Sequence, residues 1–307
     1  MNTFFFSHKS FLDHNKGLDH PENSSRLEAI LNAVGKKEIN NLKKIEAPKI
    51  DTQNILLAHS AQHMENVFSH IPESGYTSLD SDTFVSQKSK EASLRSAGAI
   101  TAAIDSVFEQ KCKNAFCAVR PPGHHAEFDR SMGFCLFNNV AIGGLYARKK
   151  YGLNKIAVID FDVHHGNGTQ NIFSGDKDFL YASTHQFPFY PGTGSLNENV
   201  DKHIVNAPLK AYSGSLEFRE AMEKHIFPNI NKFNPELILI SAGFDAHKDD
   251  PLGQLNLDEK DFIWVTNEIK LIAEKLCDNR LVSILEGGYN ISALSSCVLE
   301  HIKVLAK

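Results

Sequence analysis

Two carboxylates and an imidazole stand at alternate positions in Asp160-Phe161-Asp162-Val163-His164. Alternate side chains of an extended strand share a side, so Asp160, Asp162 and His164 face together, away from Phe161 and Val163. On a buried strand these three groups would repel one another and lose hydration unless a cation sits among them. Asp162 and His164 suit a borderline divalent ion such as Zn²⁺, with a third ligand from elsewhere; Asp245, at the end of another apolar run, is the natural choice. Capping and ion-paired residues at strand ends are the alternative reading. Pro121-Pro122-Gly123 forms a stiff turn ahead of His124-His125. Adjacent extended residues diverge, so dual ligation of one ion is awkward and a general acid–base role beside a metal fits better. In Gly287-Gly288-Tyr289 the phenol follows two glycines, where its hydroxyl either stabilises a developing oxyanion or simply packs.

These groups need elements to hold them. Five short apolar runs are read as strands: Ala115–Val119, Ile156–Ile159, Phe179–Ala182, Leu237–Ile240 and Leu281–Leu285. Each runs into glycines or ionisable, metal-capable groups, and open α/β sheets bind ligands outside the carboxyl ends of their strands. One composite site is therefore expected. Helical spacing is read behind Ser24 or Ser25 as N-cap, with Leu27, Ile30, Leu31 and Val34 inward and Gly35 as stop. Further helices are expected over 89–109, 139–150, 215–231, 259–276 and 291–305. The alternation predicts an α/β fold, a largely parallel sheet covered by helices. His63, His165, His185 and His247 read as core, rim or surface residues. Phe134, Phe137, Phe187, Phe189 and Tyr190 read as core, although Phe134 and Tyr190, beside glycine-rich loops, also suit the walls of a narrow channel.

The 307 residues suffice for one large domain or two modest ones. At 42% apolar and 22% charged, the chain is globular in composition, not disordered or fibrous. A net charge of −5 argues against a nucleic-acid binder that works by neutralising phosphates. No apolar run reaches the roughly 18 residues of a membrane span, and Met1–His8 lacks the form of a secretory signal, so a cytoplasmic protein is expected. Cys112, Cys117, Cys135, Cys277 and Cys297 form no CxxC pair and read as reduced thiols. Fifteen histidines point instead to imidazole and carboxylate chemistry.

The chain resembles the zinc-dependent histone deacetylases, in particular class II and the bacterial deacetylase-like amidohydrolases. The matching segments are HPENSSRL (20–27), RPPGHHAE (120–127), GFCLFNN (133–139), DFDVHHGNGTQ (160–170), PGTG (191–194), NPELILISAGFDAHKDDPLG (234–253) and LEGGYN (285–290). The resemblance implies the arginase/deacetylase fold with a central eight-stranded parallel sheet, as a single domain over 1–307. It implies that Asp162, His164 and Asp245 ligate one Zn²⁺, and that His125, oriented by Asn167, is base and then acid. His124, bonded to Asp160, would stay cationic, and Tyr289 would bind the substrate carbonyl. Some relatives with His in place of this Tyr are poor deacetylases, so an active enzyme is expected. Phe134 and Tyr190 would flank an acyl-lysine tunnel, with the Gly133 carbonyl on the substrate amide and Asp82 on the substrate backbone. The family usually has Phe where Tyr190 stands. A structural K⁺ would engage Asp160, Asp162, His164, Ser183 and Thr184, partly through carbonyls.

An acylated lysine in a protein or peptide is the expected substrate, with neither nucleic acid nor membrane as a partner. An acetylpolyamine amidohydrolase on the same scaffold is the nearest rival. Polyamine-selective relatives tend to carry an acidic group at the rim, whereas Leu252 follows Asp250-Pro251 here. A non-catalytic acyl-lysine binding protein and a two-metal ureohydrolase are the remaining alternatives, the latter with only one ligand set to draw on.

Overall fold

Ile156–Asp160, Leu237–Ala242 and Leu281–Leu285 are buried along their whole length. Strands with no solvent face belong in the middle of a parallel sheet with helices on both sides. The computed structural model describes residues 2–200 and 203–307; Met1, Asp201 and Lys202 of the expected 1–307 domain lie outside the described residues. Its strands are β1 (Thr3–Ser7), β2 (Leu42–Glu46), β3 (Tyr76–Ser78), β4 (Phe84–Ser86), β5 (Asn114–Cys117), β6 (Ile156–Asp160), β7 (Phe179–Gln186), β8 (Ile204–Leu209), β9 (Leu237–Ala242) and β10 (Leu281–Leu285). Eight of them form one sheet in the order β2-β1-β5-β10-β9-β6-β7-β8, every neighbouring pair parallel. β3 and β4 make a separate antiparallel pair. The fold is thus a single domain with an eight-stranded parallel sheet flanked by helices, as expected.

The helices are α1 (Ser24–Lys36), α2 (Thr52–Ile55), α3 (Ala61–Ser69), α4 (Ser89–Phe108), α5 (Asn139–Tyr151), α6 (Asn167–Phe173), α7 (Ser215–Ala221), α8 (Phe227–Phe233), α9 (Glu259–Cys277) and α10 (Ile291–Leu305). Two local expectations are corrected. Asn23 is the N-cap of α1, its side chain accepting the Ser25 N–H at 3.0 Å, and Gly35 lies inside the helix instead of ending it. The helix expected over 215–231 is α7, a wider π turn at Met222–Ile226, and α8. Pro228, near the start of α8, has no N–H to bond back into the preceding turn, which accounts for the interruption. No helix among the described residues is long and apolar enough to cross a membrane.

Candidate active site

β6 stops at Asp160, so Asp162 and His164 follow the strand and strand alternation does not aim them. Short local bonds do. The Asp162 N–H donates to Asp160 Oδ1 at 3.1 Å, and the His164 N–H donates to Asp162 Oδ1 at 2.9 Å. Two successive Asx-type turns fold the segment. Asp160 does not join the other two: its Oδ2 accepts from His124 Nδ1 at 3.0 Å and from the Tyr181 hydroxyl at 3.2 Å.

Asp245 arrives from the loop after β9. Donor atoms of Asp162, His164 and Asp245 all lie within 4.8 Å of one another, with His164 Nδ1 3.1 Å from Asp162 Oδ1 and 3.2 Å from Asp245 Oδ2. Both carboxylates are fully buried, and Asp245 Oδ2 has no hydrogen-bond donor while Oδ1 takes the Val163 N–H. Burial first, and the neighbouring Asp162 charge second, push the Asp245 carboxyl up to about 7. Two buried carboxylates, one imidazole and an unpartnered oxygen form a donor set that a divalent ion completes, and an O, N, O set suits Zn²⁺. The loop after β10 closes against it. The Gly287 N–H donates to Asp162 Oδ2 at 2.8 Å, and a Cβ at Gly287 would stand 2.0 Å from Asp245 Oδ2.

Beside this cluster the two imidazoles lie with centroids 4.0 Å apart and planes tilted by 48°, yet held differently. Asn167 Nδ2 donates to Glu127 Oε1 at 2.7 Å, which turns the amide oxygen toward His125 Nδ1 at 2.8 Å. Nδ1 of His125 is therefore the N–H, and Nε2 carries the free lone pair. Burial, then the cationic ring of His124, holds its pKa well below the ordinary value. At His124 burial acts in the same sense, but the carboxylates of Asp162 and Asp160 outweigh it and raise the ring to about 10. Glu286 fixes the preceding turn, its Oε2 accepting the N–H groups of Gly123 (2.7 Å) and His124 (3.1 Å).

A cavity of about 360 Å³ reaches His125, His164 and Tyr289, and Asp82, Gly133, Phe134, Tyr190 and Leu252 line it. Phe134 meets Tyr289 edge-on at 5.8 Å, and Tyr190, 38% exposed, meets His125 edge-on at 5.2 Å. Phe189, read from sequence as core, instead stacks on His164 at 5.5 Å and lines the same cavity. Asp82 Oδ1 accepts the Gly133 N–H at 3.1 Å, which places this carboxylate under the Gly133–Phe134 turn. Both residues of that turn are left-handed, φ +56° and +68°. A phenylalanine in this region carries local strain, which the Asp82 and Thr83 bonds sustain.

Two anchors have no signature as catalytic types in the sequence. Asp250 Oδ2 accepts the N–H groups of Tyr289 (2.6 Å) and Asn290 (3.0 Å), and Arg26 donates to the carbonyls of Glu286 and Gly288, both at 2.6 Å. They fix the backbone on either side of Tyr289. Glu22 in turn bonds both Arg26 and Arg120 in the interior. Ser183 lies in register beside Asp160 and bonds His185, while Thr184 Oγ1 is buried without a partner. His165 is satisfied by Gln170 and Thr193 and His185 by Ser183 and Gly194, whereas His63 bonds Leu136 through Nε2 and leaves its buried Nδ1 without a partner.

Against known proteins, residues 20–305 match the histone deacetylase domain model. The chain is 38% identical to "Type-2 histone deacetylase 2" of Dictyostelium discoideum over 99% of its length, but spans only about a fifth (21%) of that protein. It is 35% identical to the "Histone deacetylase-like amidohydrolase" of Pseudomonas aeruginosa, covering 93% of this chain and 76% of the relative. Among solved structures, the "Crystal Structure of HDA15 HD domain" superposes with a TM-score of 0.93 at 33% identity, covering 99% of this chain and 88% of the other. The ordered motifs, the sheet and these matches place the chain in the histone deacetylase family, to which it belongs.

Proposed function

We propose that the chain hydrolyses the amide of an ε-acyl-lysine side chain in a protein or peptide, releasing acetate or another short carboxylate. The observation that carries this reading is an aromatic-walled cavity reaching a free imidazole lone pair, a phenol and an Asp/His/Asp donor set. One divalent ion, Zn²⁺ foremost, would be held by Asp162, His164 and Asp245, and when bound supplies polarisation of the amide carbonyl and acidification of water. Two carboxylate ligands temper that acidification, so the protein provides its own base. His125 Nε2 accepts the proton of the attacking water and returns it to the lysine nitrogen as the C–N bond breaks. Water thus adds to the carbonyl carbon, and a carboxylic acid and an amine leave. His124, kept cationic by Asp160 and Asp162, favours the negative charge that develops on the carbonyl oxygen. Burial raises the Tyr289 phenol well above its ordinary value, so it stays protonated and donates to that same oxygen.

In the same reading Phe134 and Tyr190 hold the methylene stem, the Gly133 carbonyl accepts the substrate amide N–H, and Asp82 holds the substrate backbone. A structural K⁺ against Asp160, Asp162, His164, Ser183 and Thr184 and a cytoplasmic location belong to this proposal, the latter supported by five buried, unpaired thiols.

Asp82 favours a second reading, an acetylpolyamine substrate, because a carboxylate at the cavity would pair with a distant amine. Against it, Asp82 Oδ1 is engaged by Gly133 and Thr83, and Leu252 offers that amine nothing. Steady-state kcat/KM of the zinc-loaded protein on a fluorogenic acetyl-lysine peptide, acetylputrescine and acetylspermidine distinguishes them. The peptide is expected to be preferred. A preference for the polyamines would overturn the lysine assignment, and no turnover of any acyl amide with zinc bound would overturn hydrolysis itself in favour of binding alone.

A further inference from the structure

His247, Glu259 and Cys297 come from three separate segments: the loop after β9, the first turn of α9 and the middle of α10. One donor atom of each lies within 4.8 Å of the other two. His247 is only 3% exposed, and its Nε2 has no hydrogen-bond partner. Glu259 Oε2 is 3.6 Å from that nitrogen, beyond hydrogen-bond reach. Two metal–ligand bonds of about 2.0–2.1 Å at a tetrahedral angle separate their donors by ~3.4 Å, so this spacing leaves room for an ion. Cys297 is fully buried, whereas the Glu259 side chain is 40% exposed and opens the cluster to solvent.

We propose that His247 Nε2, Glu259 and Cys297 Sγ form a second metal site, taking one borderline divalent ion of the Zn²⁺ type with water as fourth ligand. Imidazole, thiolate and carboxylate are the donor types such ions select, and three protein ligands plus a solvent-facing edge leave one position open. Binding releases the Cys297 thiol proton to solvent, which offsets the burial that otherwise holds this thiol well above its ordinary pKa. For Nε2 to ligate, the ring proton must sit on Nδ1. In the metal-free ring Nδ1 accepts the Asp249 N–H at 3.2 Å, so the proton stands on Nε2. On metal binding it passes to Nδ1, that bond gives way, and Asp249 Oδ2, 3.7 Å away on a 60% exposed side chain, rotates to accept it in a carboxylate–histidine–metal arrangement. The ion would fasten α9 and α10 to the loop after β9.

Asp162, His164 and Asp245 contain no sulfur, so a thiolate-to-cobalt charge-transfer band in the near ultraviolet reports the second site alone. Cobalt(II) titrated into the metal-free full chain is expected to give two bound equivalents and this band. Cys297→Ser should remove the band and one equivalent while leaving peptide hydrolysis unchanged, and Glu259→Gln should weaken the band-forming site at least tenfold. Asp162→Asn, which disables the other cluster, should leave the band in place. A wild-type protein without the band, or a band that survives Cys297→Ser, overturns the proposal.

Discussion

Substituting Gly133 by alanine should disable His125 without touching a metal ligand. A Cβ at position 133 would stand 2.4 Å from His125 Cδ2, 2.6 Å from Cγ and 2.8 Å from Cβ. Ordinary carbon contacts begin near 3.5 Å, so ring or loop must move by about 1 Å. The ring has no slack on its other sides: the tilted His124 ring lies 4.0 Å away centroid to centroid, Tyr190 meets it edge-on and Asn167 holds Nδ1. A 1 Å misplacement of a catalytic group costs on the order of 10²-fold in rate, or about 2.7 kcal/mol of barrier. The left-handed backbone at φ +56° adds about 1–2 kcal/mol to the cost in stability. Gly75→Ala is the control, since Gly75 is equally left-handed at φ +72° with open space around its Cβ position. Gly133→Ala should therefore lower kcat/KM by about 10²-fold with zinc stoichiometry intact, and Gly75→Ala should lower stability alone. A folded, zinc-loaded Gly133→Ala protein within threefold of wild-type activity would refute the placement of His125 as base.

Removing the Tyr289 hydroxyl with Tyr289→Phe should cut kcat by about 10²–10³-fold with little change in KM, as steady-state kinetics will show. Because burial and the His124 cation lower the His125 pKa and the base must be neutral, the acid limb of the kcat/KM profile should fall below pH 6.5; a limb centred above 6.5 contradicts the assignment. Burial raises the Glu22 carboxyl, but Arg120 and Arg26 outweigh it and hold it at about 2. Its folded pKa is thus depressed, so its stabilisation is complete above about 4.5 and fades as pH falls toward 2. Glu22→Gln leaves two buried guanidiniums short of a counter-charge and should cost ~3–5 kcal/mol at pH 7 in denaturant unfolding, the gap to wild type narrowing below pH 4.5.

The interior strands were legible because they are apolar on both faces and end in chemistry. β6, β9 and β10 fall where their runs of Ile, Leu and Val lie. The outer strands were not. β2, Leu42–Glu46, alternates too weakly and is largely exposed, and β8 contains Pro208, which sequence rules demote though a sheet edge tolerates it. β1 is too short and too uniformly buried to show a period. At the site, residue types revealed the Asp/His/Asp set but not the means of its convergence, since side-chain bonds to backbone N–H groups replaced the strand alternation. Asp250 and Glu286 were invisible for the same reason: their partners are main-chain amides, which have no residue type to read. Glu127 acts on His125 only through Asn167, a relation that spacing along the chain cannot encode.

β10 is the last strand in the chain, yet it lies in the interior of the sheet, between β5 and β9. Without Leu281–Leu285 the sheet divides into two parts, β2-β1-β5 and β9-β6-β7-β8, each with an open inner edge. His124 and His125 hang from the first, and Asp162, His164 and Asp245 from the second. The closing strand brings the two halves together and delivers Tyr289 four residues later. Closure of the sheet consequently waits on Leu281–Leu285: two open inner edges must be shielded from other chains until this strand inserts between them.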